Sequence, residues 1–144
     1  MENIEAGLPA LPAGVQYLQF KNITDNRGAL CIAQQSCLPF HVERIFWIHN
    51  VPPGKERGSH AHRTCSEILV PLGGSFKLTV TDGKIMETLQ LNNPSIGILI
   101  PPMVWCRLSD FTPGCVCMCM ASESYDETGY INKFEDFIKE INED

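Results

Sequence analysis

Short apolar runs separated by turn residues occupy most of the chain. The stretches near 15–20, 29–34, 43–50, 66–72, 75–81, 84–91, 96–100 and 115–121 are rich in Val, Ile, Leu, Phe and Thr, side chains that fit a pleated, half-buried strand. Between them stand Asn26-Arg27-Gly28, Pro52-Pro53-Gly54, Gly73-Gly74, Asn93-Pro94 and Pro113-Gly114, all of them turn chemistry. Asp82-Gly83 predicts a two-residue hairpin. No helical period intervenes before about residue 121, so the pattern predicts a sandwich or barrel and not a parallel α/β sheet. The period then changes. Phe134, Phe137, Ile138 and Ile141 fall at i, i+3, i+4 and i+7 among acidic residues and lysines, one apolar stripe of a short helix. That helix is expected over 133–142, docked on the sheet or on a second subunit. Residues 1–14 carry two prolines and little periodicity, and read as an irregular lead-in to one domain over 15–144.

Composition narrows the function classes. A chain of 144 residues fits one domain with its own core. With 44% apolar and 19% charged residues it is not compositionally disordered. A net charge of −6 excludes broad electrostatic affinity for nucleic acid or an anionic membrane, so an anionic ligand must be met by a few local cations. No run approaches the roughly 18–20 apolar residues of a membrane span, and MENIEAGLPALPAG lacks the basic start and apolar stretch of a secretion signal. The chain therefore reads as soluble and cytoplasmic. Seven cysteines, an odd count without a secretion signal, read as reduced thiols that pack as small hydrophobes. Cys115, Cys117 and Cys119 alternate along one strand, share one face and read as core.

The chemistry concentrates in GKERGSHAHRTCSEILVPLGG, residues 54–74. His60 and His62 are two apart, so on an extended strand both imidazoles leave the same face, as an acid/base pair or as two metal ligands. Gly54, His60, His62, Glu67 and Gly74 reproduce the spacing of the first cupin motif. Gly97, Pro101 and the stretch Met103-Val104-Trp105-Cys106 resemble the second, with Cys106 where that motif has histidine. A thiolate is a competent ligand for zinc, so His60, His62, Glu67 and Cys106 form a possible metal set.

With the flanks included, RGAL (27–30), PFHVERIF (39–46), RGSHAH (57–62), GILIPPMVW (97–105) and YDETGYINKFEDF (125–137) resemble the small cupin sugar-nucleotide ketoisomerases. That resemblance implies an all-β fold, a single-domain double-stranded β-helix or jelly-roll barrel with a short C-terminal helix. It implies an isomerase that moves the keto group of dTDP-4-keto-6-deoxyglucose from C4 to C3, supplying deoxyamino sugars for surface polysaccharide. It further implies a homodimer, no metal or other cofactor, a dTDP-hexose as partner, and catalytic roles for His60 and His62. The alternatives are a metal-dependent small-molecule cupin using His60, His62, Glu67 and Cys106, and a non-catalytic cupin that binds a sugar or nucleotide.

The diphosphate of such a substrate needs local cations. Arg57 is the first candidate, because a guanidinium grips phosphate oxygens in a fork. Arg44 alternates with Phe46 and Ile48; if it faces inward, burial demands a ligand or carboxylate beside it. In the resembled family the residues at Arg27 and Cys106 lie near the sugar. Arg27 matches members that make the galacto-configured product, whereas Cys106 departs from their histidine. Phe46 and Trp105 are candidates to stack on the base or wall off the sugar, and Glu67 completes the candidate binding set. Tyr125 and Tyr130 bracket DETG, where relatives usually have Asp at Gly129 and often Arg at Asn132; both departures weigh against a ligand-binding role for this segment.

Overall fold

A computed structural model describes residues 10–143. Twelve strands and one helix follow in order: β1 Gln16–Gln19, β2 Lys21–Asp25, β3 Gly28–Ile32, β4 Arg44–Ile48, β5 Arg57–His62, β6 Glu67–Leu72, β7 Phe76–Thr81, β8 Met86–Leu91, β9 Ile96–Ile100, β10 Trp105–Ser109, β11 Val116–Ala121, β12 Tyr130–Ile131 and α1 Phe134–Ile141. Two five-stranded sheets form, in the orders β1-β9-β6-β11-β4 and β12-β5-β10-β7-β8, with β2 and β3 as a separate hairpin. Every pairing is antiparallel. This is the all-β sandwich with a short C-terminal helix that the periodicity predicts. Part of the expected lead-in, residues 1–9, lies outside the described residues.

The inward faces meet in one apolar core. Leu69, Ile98 and Cys117 from one sheet pack with Leu78, Val80 and Leu108 from the other, as two-residue alternation requires. Cys115, Cys117 and Cys119 all lie in this core. Cys31 and Cys37 are exposed, against the expectation that every cysteine but Cys106 packs. The segments β2, β10 and β12 lie outside the stretches that the apolar pattern marks as strands. KNITD is exposed at every position and is a strand only through its ladder with β3. WCRLS is held between β5 and β7.

Asp82-Gly83 does turn the chain, within a four-residue connection, since the β7–β8 ladder closes at Thr81 and Met86. Asp82 Oδ1 accepts from the amides of Lys84 and Ile85, and Gly83 has φ +94°. A side chain at Gly83 would collide with Ile141, so this turn also seats the helix. α1 docks on its own sheet: Phe137, fully buried, packs with Ala61, Ile131 and Trp105. Among the described residues, no helix is long and apolar enough to cross a membrane.

Candidate active site

A cavity of 510 Å³ opens between the sheets. Leu69, Cys106, Leu108 and Cys119 belong both to the core and to its wall, so the cavity begins where apolar side chains stop filling the sandwich. Its polar rim comes from Arg44, Arg57, His60, Glu67, Tyr130 and Asn132.

Strand β4 alternates cleanly. Arg44, Phe46 and Ile48 turn inward to the cavity, while Ile45 and Trp47 are 56% and 62% exposed. Arg44 is thus the inward arginine, and Glu67 is one of the charges that act on it. Its Nη1 and Nη2 both donate to the Tyr130 hydroxyl oxygen at 3.4 Å, and its guanidinium carbon lies 5.0 Å from the Phe46 ring centroid. Its Nε is buried with no hydrogen-bond partner among the described residues. A buried donor left unmade is costly, and a ligand oxygen in the cavity would satisfy it.

Strand β5 brings the histidines. His60 and His62 project to one side, with ring centroids 5.0 Å apart. His60 lines the cavity, and His62 lies deeper, 6% exposed. His62 Nε2 stands 3.1 Å from Glu67 Oε1 but at an angle that makes no hydrogen bond. Burial, and then the neighbouring His62, hold the His60 pKa below its ordinary value. His60 is therefore a neutral imidazole at neutral pH, able to accept a proton. The Pro-rich turn before β10 is anchored here, because Met103 N donates to His62 O at 2.7 Å.

Four expectations need correction. Trp105 is not in the cavity: Cys106 and Leu108 face inward on β10, so Trp105 faces outward and packs on Phe134 and Phe137. Within one chain Arg27 is also remote from it, on the exposed hairpin and paired with Asp25 at 2.6 Å. The group able to hold a metal is His60, His62 and Glu67, whose ligand atoms lie within 4.8 Å of one another; Cys106 is not part of it. Cys106 faces the cavity as a buried thiol whose pKa burial pushes far up, so it stays protonated. Finally, the C-terminal segment does reach the cavity, through Tyr125, Glu127, Tyr130 and Asn132.

Arg63 explains how that segment gets there. Its Nη1 donates to the carbonyls of Thr128 and Tyr130, and its Nε to Glu140. One arginine at the end of the histidine strand thus pins both the turn before β12 and the helix after it. Asp126 caps the turn by accepting from Thr128 N.

The profile of the family described as FdtA: WxcM-like, C-terminal matches residues 13–142. The TDP-4-oxo-6-deoxy-alpha-D-glucose-3,4-oxoisomerase of Aneurinibacillus thermoaerophilus is 38% identical over 125 residues, 86% of this chain and 90% of that protein. QdtA, a sugar 3,4-ketoisomerase from Thermoanaerobacterium thermosaccharolyticum solved in complex with TDP, is similar with a TM-score of 0.88 and 36% identity, covering 92% of this chain and 98% of that one. A His-to-Asn mutant of QdtA in complex with TDP-4-keto-6-deoxyglucose matches with a TM-score of 0.88 and 35% identity, over 92% and 97% of the two chains.

Proposed function

The chain belongs to the FdtA: WxcM-like, C-terminal family, and from that premise we propose that it moves the keto group of dTDP-4-keto-6-deoxyglucose from C4 to C3. The observation that carries this reading is an imidazole, His60, in a cavity that also holds two arginines, Arg44 and Arg57. The C3 proton of the substrate is acidified by the adjacent ketone. His60 removes it, an enediol forms, and the same imidazolium returns the proton at C4. Such positioned acid/base catalysis contributes about 10²- to 10⁴-fold. The nearby Glu67 carboxylate favours the charge that His60 gains, and the neighbouring His62 opposes it.

Binding follows from the cations. Arg57 borders both this cavity and a neighbouring one of 470 Å³ that Lys55 also lines, a path suited to a diphosphate leaving the sugar site. Phe46 walls the sugar, and Cys106 and Glu67 form its floor. The 3-keto product is a ketone ready for amination at C3, which fits deoxyamino-sugar synthesis.

A homodimer belongs to this reading. Ile45 and Trp47 stand exposed on β4, an edge strand, and Ile23 and Leu30 on the hairpin; edges and apolar faces of this kind call for cover. In a dimer the hairpin can carry Arg27 to the partner's cavity.

The test is incubation with dTDP-4-keto-6-deoxyglucose and NMR identification of the product. A 3-keto hexose supports the reading; unchanged substrate with intact dTDP binding would leave a non-catalytic binder. Convergence of His60, His62 and Glu67 favours, as a second reading, a divalent metal on those three. Stoichiometric metal in purified protein, lost on His62→Ala, would replace the metal-free mechanism.

A further inference from the structure

The isomerisation moves two protons, one between carbons and one between oxygens, and His60 accounts for the first alone. We propose that Tyr130 carries the second, giving its hydroxyl proton to O4 and taking one back from O3, with Arg44 holding the transient phenolate. This deepens the ketoisomerase reading and rests on it.

The geometry begins with the direction of a hydrogen bond. A guanidinium has donors only, so in the Arg44–Tyr130 contact the phenol oxygen accepts from both Nη1 and Nη2. The Tyr130 proton is left to donate elsewhere. Among the described residues no acceptor takes it, and Tyr130 lines the cavity. Its ring lies 5.0 Å from that of His60 and 4.3 Å from that of His62, so the phenol and the His60 imidazole border the same space. Arg44 is suited to stabilise an anion there, since it is a cation whose buried Nε still lacks a partner.

The chain fixes this arrangement from outside the cavity. Tyr130 pairs with His62 and Ile131 with Ala61 in the β12–β5 ladder. Ile131, 2% exposed, packs under the helix, so its neighbour Tyr130 turns the other way, inward. Arg63 clamps the Tyr130 carbonyl. Burial pushes the Tyr130 pKa up while the hydrogen bond from Arg44 opposes it, and the net shift is upward; the phenol is a protonated acid at neutral pH.

The protons and electron pairs balance. As His60 takes the C3 proton, the C3–H pair forms the C3=C4 bond, the carbonyl π pair moves to O4, and O4 takes the Tyr130 proton. An enediol, an imidazolium and a phenolate result. The phenolate then removes the O3 proton, the freed pair forms C3=O, and the C3=C4 π pair takes the proton from His60 at C4. Both side chains end as they began, and nothing is oxidised or reduced overall beyond the internal shift from C4 to C3.

The test compares wild type, Tyr130→Phe and a protein carrying 3-fluorotyrosine at position 130, all on dTDP-4-keto-6-deoxyglucose. Tyr130→Phe should lose about 100-fold or more in kcat while KM and dTDP affinity stay within about threefold, the signature of a group acting in the transition state. The charged and titratable groups around Tyr130 are Arg44, His60, His62, Glu67 and Tyr125. Tyr125→Phe removes the other phenol packed on Tyr130 and serves as the control, which should keep the alkaline limb of the kcat profile. The more acidic fluorotyrosine should move that limb to lower pH, and this variant decides the matter if Tyr130→Phe fails to fold. Turnover by Tyr130→Phe within about threefold of wild type, or an alkaline limb indifferent to fluorotyrosine, would overturn the role of Tyr130 and leave the ketoisomerase reading standing. A wild type that binds dTDP yet never converts the sugar would overturn both.

Discussion

Arg57 and His60 line one cavity although they are three residues apart on a strand, a spacing that would put them on opposite faces of a regular ladder. The register supplies the reason. Leu108 pairs with Arg57, Arg107 with Gly58, and Cys106 with His60, so Ser59 is an extra, bulged residue. Gly58 and Ser59 have φ of +80° and +61°, the left-handed pair that makes the bulge. A Cβ on Gly58 would lie 3.1 Å from Leu108 Cδ1 and 3.2 Å from the Cys106 carbonyl oxygen. Gly58→Ala should therefore cost about 1–3 kcal/mol, read as a lower Tm, together with a fall in kcat/KM as Arg57 and His60 lose their shared direction. An unchanged Tm and full activity would show that the bulge is dispensable.

His60 should titrate below the ordinary histidine value of about 6.5, because burial and His62 disfavour its charged form. The sign for stability follows. The folded state binds the proton less readily than the unfolded chain, so this contribution is present above about pH 6.5 and is lost as pH falls through the lowered value. NMR titration of the imidazole should place its midpoint below 6.5, and the acid limb of kcat/KM should follow it. A midpoint at or above 6.5 would contradict the neutral-base assignment.

Phe137 is fully buried against Trp105 and Ile131, and its helix packs on both β12 and β5. Phe137→Ala should destabilise the protein by about 3–5 kcal/mol, measured by denaturant unfolding. Because β12 carries Tyr130, kcat should fall even at temperatures where the variant is folded. Equal activity per folded molecule would mean that the helix does not support the site.

Arg27 separates a one-chain site from a shared one. Within one chain it is 86% exposed at the side chain and engages Asp25, so a self-contained site predicts no effect of Arg27→Ala. A dimer that delivers Arg27 across the interface predicts a higher KM, by roughly the one to two orders of magnitude that a charged hydrogen bond of about 1.5–3 kcal/mol supplies. Sedimentation of the native protein should give a dimer; a monomer with full activity would remove the shared site.

The strands legible from sequence are those buried on at least one face, such as Glu67–Leu72 and Ile96–Ile100, where Ile, Leu and Val leave a plain signal. β2 and β12 carry none, being strands only because a partner pairs with them. His60 and His62 were legible because two-residue spacing alone fixes their common face. Arg57 required the bulge, which turns on two positive φ values. Tyr130 was the least legible, because its place depends on pairing with His62, 68 residues earlier, and on Arg63 reaching Thr128, Tyr130 and Glu140. Trp105 misled because strand parity, not aromatic character, decides which side of β10 meets the cavity.

Proton exchange at C3 is the most direct measure of the proposed chemistry. In deuterated water the wild-type protein should exchange the C3 proton of dTDP-4-keto-6-deoxyglucose, followed by NMR, and His60→Asn should slow that exchange by about 10²- to 10⁴-fold with dTDP binding preserved. Absence of exchange with the wild type, or exchange undiminished in His60→Asn, would contradict it.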